Sequence, residues 1–195
     1  MQSIQTVSEN TIYVGASDRR LAKFENLFPI PRGVSYNAYV ILDEKTALLD
    51  TADASVGAQF LENVAAALDG RKLDYLIVDH MEPDHAAMIE AVLVRWPDLR
   101  LVVNAKTLPM LKMYSPADSA AIDDALVVKE GDTLDLGKHK LTFVMAPMVH
   151  WPEVMMTFDT TTGTLFSADA FGTFGALEGA LFADEVDFAG KWLDD

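Results

Sequence analysis

The stretch His80-Met81-Glu82-Pro83-Asp84-His85 places four side chains able to ligate a metal within six residues. Imidazole suits zinc, copper and iron, while carboxylate suits harder cations, so this mixture is the composition of a metal site. Pro83 limits the conformations of the segment. If the chain stays extended, alternation sends His80, Glu82 and Asp84 to one side, and His85 can turn towards the same region as a helix begins. A single His or Asp in such a place is more often a cap or a satisfied polar group, and Asp84 has the option of capping the helix that follows. Four together are harder to explain that way, because desolvating them without a cation is costly. Two further candidates lie far along the chain: His150, in Ala146-Pro147-Met148-Val149-His150-Trp151-Pro152-Glu153, and Asp169, in Phe166-Ser167-Ala168-Asp169-Ala170-Phe171-Gly172. The remaining histidine, His139, sits in the turn Gly137–Lys140 and is expected to be exposed to solvent. Trp151 either walls a pocket beside His150 or packs in the core.

These residues need a scaffold that ends several strands in one place. Leu73–Asp79 is nearly continuously apolar, like a strand buried on both faces. Thr11–Gly15, Asn37–Leu42, Ala47–Asp50, Leu101–Asn104, Leu126–Lys129, Leu141–Ala146, Val154–Phe158 and Thr164–Ala168 also read as strands. Leu136-Gly137-Lys138 and Thr161-Thr162-Gly163 read as hairpin turns. Helical spacing of apolar residues marks Gly57–Asp69, stopped by Gly70, and Ala86–Trp96, stopped by Pro97. Asp118–Asp123 is a third, short helix. The candidate ligands follow three of the apolar strands, whose ends can converge on one sheet edge. Loops held by such a scaffold are where functional groups tend to sit.

Composition narrows the chemistry. The chain has 195 residues, half of them hydrophobic and 23% charged, the balance of a globular protein with one domain of ordinary size. A formal charge of −15 argues against nucleic acid or an anionic membrane surface as the main partner, since phosphate binding needs clustered cations. With no cysteine, disulfides, thiolate nucleophiles, cysteine-ligated iron–sulfur clusters and Cys-type zinc sites are excluded. No run approaches the length of a membrane span, and the first residues have neither a basic start nor an apolar core of a signal peptide. The expectation is a soluble cytoplasmic protein. The acidic residues Asp184, Glu185, Asp187, Asp194 and Asp195 read as surface.

The pattern His-x-Glu-x-Asp-His, with His150 65 residues past His85 and Asp169 19 residues past His150, resembles the flavodiiron proteins, a branch of the metallo-β-lactamase fold. Gly33-Val34-Ser35-Tyr36-Asn37-Ala38-Tyr39, His150-Trp151-Pro152 and the segment around Asp169 also look like that family. The resemblance runs from about Ile12 to the C-terminal end. His-x-x-x-Asp-His alone is shared with zinc hydrolases of the wider fold; Glu82 in place of a second His is the distinguishing feature.

The resemblance implies an α/β fold, a metallo-β-lactamase-like αββα sandwich that is C-terminally shortened, with residues 1–195 forming one diiron domain incomplete at its C-terminus. It implies that His80, Glu82 and His150 hold one iron, that Asp84 and His85 lie on a second, and that Asp169 bridges both. Glu82 makes the site harder and more anionic, poorer for zinc and better for iron or manganese. Relatives have one more His beyond the bridging Asp, without a counterpart here, so the second position is expected to be one imidazole short. FMN, carried by relatives in a flavodoxin-like domain, is not expected to bind this chain alone. The implied activity is reduction of O2 to water or NO to nitrous oxide, with electrons from a flavoprotein or a rubredoxin-like protein. Relatives pair head to tail, which implies a homodimer. Three other functions stay open: a diiron module that binds or senses O2 without turnover, a zinc hydrolase using metal-bound hydroxide, and an inactive fragment.

Overall fold

The computed structural model describes residues 3–114 and 119–185. Two sheets form its frame. The larger has seven strands in the spatial order Gln5–Ser8, Thr11–Tyr13, Tyr39–Leu42, Thr46–Leu49, Tyr75–Ile77, Arg100–Asn104 and Leu126–Val128. Pairing is antiparallel up to Thr46–Leu49 and parallel from there onward. The smaller sheet is an antiparallel run of four: Thr133–Asp135, Lys140–Met145, Met155–Asp159 and Thr164–Phe166. Both hairpins expected from the turn residues are present.

Alternation along the central strands explains why their sequence is apolar throughout. Val40, Leu48, Leu76, Leu101 and Val103 face the helices, packing with Phe60, Val64 and Leu68 of the helix Gly57–Leu68 and with Ile89, Val92 and Leu93 of Ile89–Arg95. Their neighbours Ile41, Leu49, Ile77 and Val102 face the other way, onto Leu134, Leu141, Phe143, Met155 and Phe166 of the smaller sheet. A strand with two apolar neighbours layers can afford no polar residue on either side. The outer face of the smaller sheet shows Val144 and Leu165 to solvent.

Three differences from the sequence reading have local causes. The expected helix Ala86–Trp96 is split into Pro83–Ala86 and Ile89–Arg95, because the Met88 N–H is drawn to Thr51 Oγ1 at 3.3 Å. A helix unforeseen in the sequence spans Thr107–Tyr114; Pro109 lies in its first turn, where a missing N–H costs little, and Asn104 Oδ1 accepts from the N–H groups of Lys106 and Thr107. His139 is not exposed: it is buried, donating from Nδ1 to Asp159 Oδ2 at 2.7 Å. The third helix covers Ser119–Asp123. Asp184 and Glu185 are exposed, while Asp187, Asp194 and Asp195 lie outside the described residues. Among the described residues no helix is long and apolar enough to cross a membrane.

Gly15 marks a close approach of backbone to backbone. A Cβ built there would stand 2.0 Å from the Tyr36 carbonyl oxygen. Gly15→Ala is therefore expected to lower stability by about 2 kcal/mol, because main chain rather than a flexible side chain must give way. Urea unfolding of the variant measures it.

Candidate metal centre

The segment carrying the densest set of donors leaves the middle of the larger sheet, where both faces are covered. His80 is accordingly fully buried, with Glu82 and His85 nearly so. Pro83 opens the short helix Pro83–Ala86, and Glu82 precedes it with extended backbone and makes no side-chain cap. Its carboxylate is left to face the histidines. Asp84 does not cap the helix either; it lies in the first turn with Oδ2 3.5 Å from His85 Nε2, and its Oδ1 is buried without a hydrogen-bond partner. Thr51, just past the strand Thr46–Leu49, pins the turn by donating from N–H and Oγ1 to the His85 carbonyl at 2.9 and 2.6 Å. His150 comes from the connection between Lys140–Met145 and Met155–Asp159, and Asp169 from the end of Thr164–Phe166.

All six candidate residues meet in one place, as two groups sharing one carboxylate. His80, Glu82, His150 and Asp169 form the first; Asp84, His85 and Asp169 form the second. Within the first, Glu82 Oε2 lies 3.0 Å from His80 Nε2 and 2.8 Å from His150 Nε2, while Asp169 Oδ2 is 3.3 Å from each of those nitrogens. Asp169 turns its other oxygen to the second group, with Oδ1 2.8 Å from His85 Nε2. One carboxylate thus offers a separate oxygen to each group.

In His80 and His85 the ring nitrogen facing away from this centre has a carboxylate partner of its own. His80 Nδ1 is 2.8 Å from Glu153 Oε1, and His85 Nδ1 is 3.0 Å from Asp50 Oδ2. A carboxylate on Nδ1 places the ring proton there and leaves Nε2 with its lone pair pointing at other carboxylate oxygens. Lone pair against anion is repulsive, so each Nε2 needs a proton or a metal cation between it and its neighbours. Where protons serve, burial pulls the His80 imidazole down, but Asp169, Glu153 and Glu82 outweigh it and push it up to about 11. His85 is raised likewise, burial being outweighed by Asp169 and Asp50, and the two imidazoles hold Asp169 well below the usual carboxylate range against the effect of burial. Asp84 is pushed up to about 6 by burial, partly offset by His85. Burial and the Asp50 carboxylate raise Asp79 well above its ordinary range; its N–H donates to Asp50 Oδ1 at 2.7 Å. The donor set fits a pair of cations: three imidazoles, three carboxylates, a shared bridge and an orphaned buried oxygen on Asp84.

Trp151 walls this centre, edge-on to His80 and His150 at ring-centroid distances of 5.5 and 6.4 Å. On the solvent side His150 is 57% exposed, and Met148, Val149 and Phe171, each within two residues of a ligand candidate, are exposed as well. Glu153 and Asp50 were not foreseen as parts of the site. Glu153 reaches His80 across 73 residues, and the one local hint is its place three residues after His150. Asp50 and its Thr51 follow a buried strand, as His80 does, without a second donor type beside them to mark them out.

The family model described as ODP family beta lactamase matches residues 34–192. The anaerobic nitric oxide reductase flavorubredoxin of Klebsiella pneumoniae is 38% identical over 183 residues, covering 93% of this chain and 37% of the relative. Two solved structures superpose with a TM-score of 0.90. They are the flavodiiron protein from Giardia intestinalis, 28% identical over 97% of this chain and 45% of its own, and rubredoxin oxygen:oxidoreductase from Desulfovibrio gigas, 30% identical over 96% and 46%. The chain thus spans less than half the length of each of these three proteins.

Proposed function

This chain belongs to the ODP family beta lactamase domains, the metallo-β-lactamase-like domain of flavodiiron proteins, and on that premise we propose that it is the diiron part of an oxygen or nitric oxide reductase. The observation that carries the reading is Asp169, whose two oxygens serve two groups of donors. His80, Glu82, His150 and Asp169 would hold the first iron; Asp84, His85 and Asp169 would hold the second, which has one imidazole against two in the first. Two ferrous ions held there would supply two electrons at one place, the number that converts two NO to nitrous oxide and water; reducing O2 to two waters takes four, so the electron donor would have to supply two more.

The chain's own residues set the conditions for that chemistry. Glu82, drawn to both His80 and His150, keeps a hard anionic donor where zinc hydrolases of the fold use imidazole. Trp151 shields the buried side of the first group, while the exposed His150 and the apolar rim of Met148, Val149 and Phe171 leave an open approach for a gas molecule and for an electron donor. We read that rim as the face towards a flavoprotein or rubredoxin-like protein, with pairing of two copies as a further way to cover it. A cytoplasmic setting accords with a chain of this charge that has no cysteine.

The test is anaerobic loading with Fe2+ followed by addition of a reduced flavoprotein and a pulse of O2 or NO. Consumption of either gas that is lost in Asp169→Ala is the expected result. Gas consumption no faster than with the flavoprotein alone would remove the reductase reading. Hydrolysis of a thioester or lactam under strict anaerobiosis would favour a zinc hydrolase instead.

A further inference from the structure

We infer that Glu153 is the positioning residue of the first metal position, holding His80 in the tautomer and orientation that offer Nε2 to the metal. The inference rests on the diiron reading above and names a residue in this chain through which that reading acts. Glu153 Oε1 accepts two hydrogen bonds, from His80 Nδ1 at 2.8 Å and from the Met81 N–H at 3.0 Å, so it fixes both the ring and the backbone that carries it. Both side chains are fully buried. The backbone that carries Glu153 is itself anchored: Asn104 Nδ2 donates to the Glu153 carbonyl at 2.5 Å, and Lys106 Nζ donates to the Pro152 carbonyl at 2.9 Å. Asn104 is in turn held by the N–H groups of Lys106 and Thr107 on its Oδ1. The loop that delivers His150 is thereby tied to the end of the neighbouring strand Arg100–Asn104, and it supplies a ligand candidate and its partner's support three residues apart.

Packing alone does not call for a charge here. The other oxygen, Oε2, is buried with no hydrogen-bond partner, an expense that an uncharged acceptor would largely avoid. A carboxylate behind a metal-bound imidazole has a use that an amide lacks: it raises the basicity of the ligand as well as setting its tautomer, and losing such a partner commonly weakens metal binding 10- to 100-fold, or about that order.

Glu153→Gln separates these roles, because the amide oxygen can accept both bonds while the charge is gone. Fe2+ affinity, measured by anaerobic chelator competition, is expected to fall roughly 10- to 100-fold, with the metal-free protein melting within a few degrees of wild type. In a His80→Ala background the same change is expected to add nothing, since Glu153 acts through that ring. Unchanged affinity in both Glu153→Gln and Glu153→Leu, the latter removing the acceptor as well as the charge, overturns the inference. So does an affinity loss that persists in the His80→Ala background, which would mean that Glu153 only braces the loop. If the variant does not fold, NMR of zinc-loaded wild type decides, with zinc as a diamagnetic probe. A protected Nδ1–H on His80 supports the assignment, and an Nε2–H overturns it. Wild type that binds no Fe2+ at all would instead overturn the diiron reading, and this inference with it.

Discussion

Asp169→Ala is expected to abolish metal binding at both positions at once, whereas His150→Ala should affect mainly the first. The asymmetry follows from geometry. Among the carboxylate oxygens of the two donor groups, His150 Nε2 lies against Glu82 Oε2 and Asp169 Oδ2, both of the first group, while Asp169 gives Oδ2 to the His80 and His150 nitrogens and Oδ1 to His85. Removing it leaves His80, Glu82 and His150 as a three-donor remnant and Asp84 with His85 as a pair. Because the metal binds the folded state and not the unfolded one, it stabilises the fold by about 2.7 kcal/mol when free metal is a hundred times its dissociation constant, and so raises the unfolding temperature. Asp169→Ala should therefore lose nearly all iron on desalting and nearly all of the metal-induced rise in Tm. Its metal-free Tm is expected to fall as well, since Asp169 pairs with the His80 and His85 imidazoles, so the metal-induced rise is read against the variant's own metal-free melt. Elemental analysis beside paired thermal melts checks both parts.

The second large effect concerns stability. His139→Ala is expected to cost about 3 kcal/mol, because it strips a donor from a buried carboxylate and leaves a hole where the ring was. Asp159 is fully buried, and its remaining donors are the Thr161 N–H at 3.0 Å and Thr162 Oγ1 at 2.7 Å. On its other side the ring is 3.3 Å from the Asn10 amide, so His139 also ties the turn between the first two strands to the smaller sheet. The pH dependence has a definite sign. Burial works to raise the Asp159 pKa, but the His139 hydrogen bond and those of Thr162 and Thr161 hold it below its ordinary value. A carboxylate lowered in the folded state stabilises above its unfolded pKa, and that contribution is lost as pH falls through the folded value. Without His139 the folded value rises, so acid unfolding of the variant should begin at higher pH than in wild type. Urea titrations across the acid range read both the loss and the shift. Equal stability of variant and wild type at neutral pH would contradict this account of the pair.

The same residues show what a sequence can and cannot disclose. The core strand around Leu76 was legible because burial on two faces leaves a continuous apolar run, and the helix Gly57–Leu68 because burial on one face leaves a period. The donors His80 to His85 were legible because they are local; Pro83 and the end of the strand announce the loop. The recurrence of a ligand type after an apolar strand makes His150 and Asp169 candidates, and the family resemblance is what implies their roles. His139 was misread because a Gly-Lys turn signals exposure, while its partner Asp159 lies on the next strand, 20 residues on. The helix Thr107–Tyr114 buries little more than Thr107 and Leu111, too few positions to make a period, and Pro109 argues against it unless its place in the first turn is known. Glu153 illustrates the general limit. Support for a ligand comes from whatever the fold brings behind it, and no spacing in the chain points from residue 153 to residue 80.

The central claim is that this chain builds a two-metal iron site, and iron stoichiometry after anaerobic reconstitution with Fe2+ and desalting tests it most directly. The account predicts close to two irons per chain, with the second, poorer in imidazole, released first as chelator is added. Stoichiometric zinc retained in preference to iron, or a single iron unaffected by Asp169→Ala, would contradict it.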